Sequence, residues 1–110
     1  MIICNKNSVK GKLTVMLLFE WDEEKAKINL EKHHVSFAEA KSVFYDEHAR
    51  LIADEENSEG EDRFLLFGMS FNPRLLLVCH CYRENDHVIR IISARKSTRT
   101  ETAMYRRFKS

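Results

Sequence analysis

The stretch Arg63–Arg95, "RFLLFGMSFNPRLLLVCHCYRENDHVIRIISAR", holds three apolar runs separated only by "FNP" and "ENDH". Loops this short join strands that run in opposite directions, so the stretch reads as an antiparallel meander. Leu75 to Cys81 is apolar at both parities and is expected at the centre of the sheet. Upstream, "ARLIAD" is a further short strand. It is joined to the meander by "DEENSEGED" (Asp54–Asp62), with six acidic residues in nine. That loop lacks the alternating ligands and terminal glutamate of a Ca²⁺ loop, so a flexible acidic hairpin is expected.

Helix signals lie on either side. After an apolar strand "VMLLFEW", Asp22 is placed as an N-cap, with Glu23 and Glu24 in the first turn and Lys32 and His33 in the last. Ala26, Leu30 and His33 or His34 would share a face, and the helix would stop at "HHV". Ser36 and Glu39 form a capping box for a second helix with Phe37, Ala40, Val43 and Phe44 on one stripe. Thr98 and Glu101 form another box, for a helix with Met104 and Phe108 on its buried side. The order β-α-α-β-β-β-β-α predicts an α+β fold. Two N-terminal helices and one C-terminal helix would pack on an antiparallel sheet of four to five strands.

At 110 residues, 44 % hydrophobic and 32 % charged, the chain suits one globular domain, too apolar for disorder and too charged for a membrane protein. It has no run near the ~20 apolar residues that span a bilayer, and its start does not read as a signal peptide, so a cytoplasmic location is expected. "CNKNSVKGK" is polar and turn-like. Residues 1–15 are expected to be a disordered extension and 16–110 the domain. The net charge of +1 conceals a polarity: Glu20–Asp62 carries 14 acidic and 5 basic residues, Arg83–Ser110 carries 8 basic and 3 acidic. That pattern permits a basic face for nucleic acid; the alternative is plain surface solvation.

Several residues could carry chemistry. Arg90 lies mid-strand between Val88 and Ile92, where a guanidinium needs a phosphate or an internal acid from the helices. Arg95, Lys96 and Arg99 gather where the last strand meets the last helix, and the helix N-terminus adds positive potential there. They could hold a phosphate, or form a solvated basic turn. Glu101 and Tyr105 are i and i+4. Metal-free RNA cleavage needs a base near the 2′-hydroxyl, cations for the phosphorane and an acid for the leaving oxygen. Glu101 could be the base, Arg95 with Arg63 the cations, and Tyr105 or a histidine the acid. The other reading is a surface contact. His33 and His34 could exchange protons near neutral pH or could cap the helix. In "CHC", strand alternation puts Cys79 and Cys81 on one face and His80 on the other, so no metal site and no cofactor are expected. Three cysteines make no disulfide framework.

"FEWDEEKAKINLEKHHVSFAEAKSVF", "EDRFLLFGMS" and "IRIISARKSTRTETAMY", in that order, resemble the BrnT toxins of type II toxin–antitoxin pairs over about Phe19 to Tyr105. The motif residues are Trp21, Asp22 and Lys25; Lys32, His33 and Val35; Asp62 and Arg63; Arg90, Ser93, Ala94 and Arg95; Glu101 and Tyr105. The resemblance implies a RelE-like fold and an RNA endonuclease that halts translation. It also implies a hetero-oligomer with a BrnA-type antitoxin, through which operator DNA would be bound. Two departures stand out. His34 replaces the Gly usual at the first helix stop, and a segment precedes Met16, suggesting Met16 as the natural start. The competing reading is a non-catalytic binding module or a relic toxin.

Overall fold

The computed structural model describes residues 2–3, 17–58 and 60–109. Its order is β1 (Ile2–Ile3), β2 (Leu18–Glu20), α1 (Glu23–His33), α2 (Phe37–Ser42) with a 3₁₀ turn (Val43–Tyr45), β3 (Arg50–Ala53), β4 (Phe64–Met69), β5 (Leu75–Arg83), β6 (Val88–Lys96) and α3 (Arg99–Lys109). Of the expected N-terminal extension, only Ile2–Ile3 is described, paired antiparallel with β2; the expected start at Met16 lies outside the described residues.

The expected meander is present from β3 to β6, with β5 inside the sheet order β1-β2-β6-β5-β4-β3. The expectation of a wholly antiparallel sheet is corrected: β2 lies parallel to β6, Phe19 opposite Ile89 and Glu20 opposite Arg90. A parallel pair needs a long crossover. Here the crossover is everything between Glu20 and Val88, a connection that local loop lengths cannot reveal.

The helices also divide between the two faces of the sheet. Trp21, Val35, Phe37, Ala40 and Val43 pack on Phe19, Leu66, Leu76, Val78, Ile89, Ile91 and Ala94. Tyr105 of α3 packs on the opposite face with Phe67 and Leu77. Gly68 is required on the first face, because a Cβ there would meet Ala49 Cβ at 2.9 Å. Asp46 ties the two layers together. Its Oδ2 accepts from the Met69 N–H (2.8 Å) and from the Tyr105 hydroxyl (2.6 Å).

Each helix start stands where its cap residue places it, with different chemistry. Asp22 accepts from Glu24 and Lys25 N–H. Thr98 and Glu101 form the full reciprocal box, Thr98 N–H to Glu101 Oε1 at 2.8 Å and Glu101 N–H to Thr98 Oγ1 at 3.2 Å. The Ser36–Glu39 box is only half made. Ser36 Oγ accepts the Glu39 N–H, but the Glu39 side chain turns inward to Ser70 (2.6 Å) and to Arg74, which also reaches the His34 carbonyl. Arg74 holds the Glu39 carboxyl below the usual carboxylate range, against the opposing effect of burial. A forked guanidinium that neutralises a buried acid outweighs a cap bond at the helix rim.

The expected face of α1 is corrected as well. Leu30 is half exposed, and the buried residue of that helix is Asn29. Its Nδ2 donates to the carbonyls of Val35 and Ala94, both at 2.9 Å, and its Oδ1 accepts the Ala94 N–H at 3.0 Å. β2 pairs with β6 only over Val88–Arg90, so the amide of Asn29 serves as the missing strand neighbour for Ala94. At the helix stop His34 adopts the left-handed conformation that Gly would take, φ 59° and ψ 31°, with its N–H on the Leu30 carbonyl. The α1 terminus therefore survives the loss of Gly, at a steric cost.

Two outcomes follow in denaturant unfolding. Asn29→Ala should cost about 3 kcal/mol, because Ala94 and Val35 keep buried polar groups without partners. Amide exchange should show Ala94 losing protection; a change below about 0.5 kcal/mol would mean that water replaces the carboxamide. His34→Gly should instead stabilise by about 1 kcal/mol, and a destabilised variant would show that the imidazole makes an uncounted contact.

Candidate nucleic-acid interface

β6 does not keep a strict period of two. Cys79 is opposite Ser93 but His80 is opposite Ile91, so Ile92 is an extra residue, a β-bulge. The bulge reverses parity along the strand. Ala94 joins Ile89 and Ile91 on the α1–α2 face, while Ser93 and Arg95 join Arg90 on the α3 face. Strict alternation along β6 would put Arg90 and Arg95 on opposite faces; the bulge brings them to the same one.

By register, Arg50, Arg83, Arg90 and Arg95 all project from the α3 face, which α3 covers only around Phe67 and Leu77. Arg63 precedes β4 by one residue, and its carbonyl still bonds the Asp54 N–H, which extends the β3–β4 ladder and gives Arg63 the same parity. Its buried Nε has no hydrogen-bond partner among the described residues. Three of these arginines meet carboxylates on the same surface. Arg90 pairs with Glu20 at 2.5 Å, Arg83 with Glu61 at 3.1 Å, and Arg95 grips Glu101 with both terminal nitrogens at 3.0 Å. The partner of Arg90 is thus an acid of the parallel strand β2, not of the helices as expected.

Arg95 holds the Glu101 carboxyl down to about 2, with the Thr98 N–H adding to the effect and burial opposing it. Arg95 is still 43 % exposed, so its outer edge can meet a solute. Lys96 and Arg99 are both exposed but do not close around Arg95. Lys96 has the opposite strand parity, and Arg99 lies in the first turn of α3 beside a cavity of about 460 Å³. The helix amides there are partly engaged by the Thr98–Glu101 box.

Tyr105 does not present its hydroxyl beside Glu101. Its ring is buried against Phe67, and burial together with Asp46 pushes the phenol up to about 12. His33 stands elsewhere, at the outer edge of β6, where with Lys25, Lys32, Ile92 and Ser93 it lines a cavity of about 180 Å³. His80 is fully buried among Phe44, Phe64 and Tyr82, where burial lowers its pKa and keeps it neutral. Cys79 and Cys81 face the other way, as alternation requires, and burial raises both thiols.

Sequence reading missed Arg83, Glu20, Glu61, Asn29 and Asp46. Arg83 could have been found from its parity with Cys79 and Cys81. Glu20 could not, because its place depends on the parallel register.

The chain is thus a small α+β domain with a row of guanidinium groups on one half-open sheet face. A model of the family described as "Ribonuclease toxin, BrnT, of type II toxin-antitoxin system" matches residues 21–101, and the chain belongs to that family. The fold is similar to the 1.1 Å crystal structure of the Brucella abortus ribonuclease toxin BrnT, with TM-score 0.56 and 20 % identity, covering 72 % of this chain and 94 % of that one. No curated protein matches the chain. Membership in a type II toxin family implies an antitoxin partner. Among the described residues no helix is long and apolar enough to cross a membrane.

The Arg95–Glu101 pair has a pH signature. The folded carboxyl lies near 2 against an ordinary 4.5, so its contribution is fully present above 4.5 and is lost as pH falls toward 2. Wild type should therefore lose more stability than Glu101→Gln between those limits. Parallel loss in the two proteins, followed by thermal unfolding, would show that the pair contributes nothing.

Proposed function

We propose that this chain is a metal-independent endoribonuclease toxin of RelE-like type that acts in the cytoplasm, halts translation and is neutralised by a BrnA-type antitoxin, operator DNA being bound through that complex. The observation that carries the reading is the row of arginines on one sheet face, in which Arg63 keeps a buried Nε without an acceptor. A phosphodiester laid along that face would meet the exposed edges of these guanidinium groups, as at Arg95.

In this reading Arg95 and Arg63 neutralise the phosphorane as charge builds on its oxygens, and Arg90 and Arg83 hold flanking phosphates. Arriving phosphate competes with Glu101 for the Arg95 fork. Once released, the carboxylate regains basicity and accepts the proton of the 2′-hydroxyl. Attack of that oxygen on phosphorus breaks the bond to the 5′ oxygen and leaves a cyclic phosphate. Tyr105 serves as a positioning residue, since a phenol near 12 is a poor proton donor at neutral pH. His33 is the remaining candidate for protonating the leaving oxygen, from the edge beside Ser93. Lys96 and Arg99 bind RNA outside the cleft.

Purified protein should cleave single-stranded RNA to cyclic-phosphate ends in excess chelator. Arg95→Ala should slow the reaction by about 10²–10³-fold while remaining folded. Tyr105→Phe should keep the chemistry within a few-fold and lose stability instead. Cleavage that needs an added metal would remove the metal-independent step. A folded Arg95→Ala at the wild-type rate would remove this site, and intact RNA with wild type would favour a binding module. Induction in a bacterial host should arrest growth, relieved by Arg95→Ala or by co-expressed antitoxin.

A further inference from the structure

The far edge of the sheet carries a second surface, which meets the arginine face only at Glu61. β3 is the last strand in the sheet order, and its only strand partner among the described residues is β4. All four of its residues are exposed, including two large apolar ones on opposite faces, Leu51 at 53 % and Ile52 at 46 %. An edge of this kind offers unpaired backbone groups flanked by apolar side chains, and proteins ordinarily blunt such edges.

Beside it lies a cavity of about 630 Å³ lined by Leu51, Phe64, Tyr82, Glu61, Asp62 and Asp86. Phe64 and Tyr82 meet edge to face, with ring centroids 5.4 Å apart. Three carboxylates rim these two rings. Glu61 is shared with Arg83, whereas Asp62 and Asp86 form no ion pair among the described residues. Aromatic faces combined with free carboxylates suit an alkyl chain ending in a cation, which can lie on the rings and place its charge among the acids. The same charges disfavour RNA, and the adjoining acidic loop Asp54–Asp62 extends that preference.

We infer that β3 and this cavity form a docking site for an extended, basic segment of a partner protein. The segment adds as a further strand along β3, sets apolar side chains against Ile52 on one face, and on the Leu51 face lodges an arginine or lysine between Phe64, Tyr82 and the three acids. Main-chain pairing provides the attachment and the charged cavity the selectivity, the division of labour of strand addition. The inference does not depend on the ribonuclease reading, because no residue proposed there to touch RNA lines this cavity.

The test uses the full chain and a labelled synthetic peptide that alternates arginine and valine, followed by fluorescence anisotropy and amide exchange. Binding should protect the Leu51 and Ala53 amides, which by the β3–β4 register point away from β4. The analogue with glutamine for arginine should bind about tenfold more weakly, as should the double variant Asp86→Asn, Leu51→Ser. Both substitutions lie at exposed positions, and amide exchange of the β5–β6 ladder in the free variant reports its folding. Absence of peptide binding, equal affinity for the glutamine analogue, or protection confined to the arginine face would overturn the inference. A concentration-dependent dimer in sedimentation, with the same β3 amides protected, would also overturn it by assigning the edge to a second copy of the chain.

Discussion

One extra residue in β6, held in place by one carboxamide, decides what kind of surface this protein has. Without the bulge at Ile92, strict alternation would send Arg95 to the face that α1 and α2 cover, and Ala94 toward solvent. Asn29 reads the backbone just beyond the bulge, binding both polar groups of Ala94 from a helix where β2 has already ended. That contact anchors α1 to the sheet and fixes the parity of the strand that leads into α3. The arginine face and the Arg95–Glu101 fork follow from it.

Polar groups join the layers of this small fold, and apolar packing fills between them. Glu39 with Arg74 and Ser70 anchors α2 to the β4–β5 connection. Asp46 links the 3₁₀ turn to β4 and to α3 through Tyr105. Buried polar groups of this kind specify a unique arrangement only when all members are satisfied, and Asn29, Glu39 and Asp46 each have two or more partners. Tyr105 belongs to this set. A residue at helical spacing from a charged neighbour invites a catalytic role, but its hydroxyl is engaged in holding α3 to the sheet.

The charge asymmetry visible along the chain also has a spatial meaning. The basic C-terminal third contributes Arg83, Arg90 and Arg95 to one face, while the acidic loop and Asp86 gather at the sheet's far end. Along the face itself positive charge is tempered by Glu20, Glu61 and Glu101. Each of these acids neutralises one arginine, so the face carries less net positive charge than its row of guanidinium groups alone would give.

Local patterns determined a great deal. The apolar runs and short loops set the four-stranded meander, and the caps at Asp22, Ser36 and Thr98 set three helix starts. Each of these depends on neighbours within a few residues, where sequence spacing translates directly into geometry. Tertiary structure alone decided the parallel placement of β2, the burial of Asn29 in place of Leu30, the inward turn of Glu39, and the parity change that brings Arg95 beside Arg90. The first three depend on partners 31 to 70 positions away, as with Ser70–Glu39 at 31 and Glu20–Arg90 at 70, and the fourth on the register of the β5–β6 hairpin, where Cys79 faces Ser93 but His80 faces Ile91. Their energies come from desolvated polar groups finding one another, which no local period records.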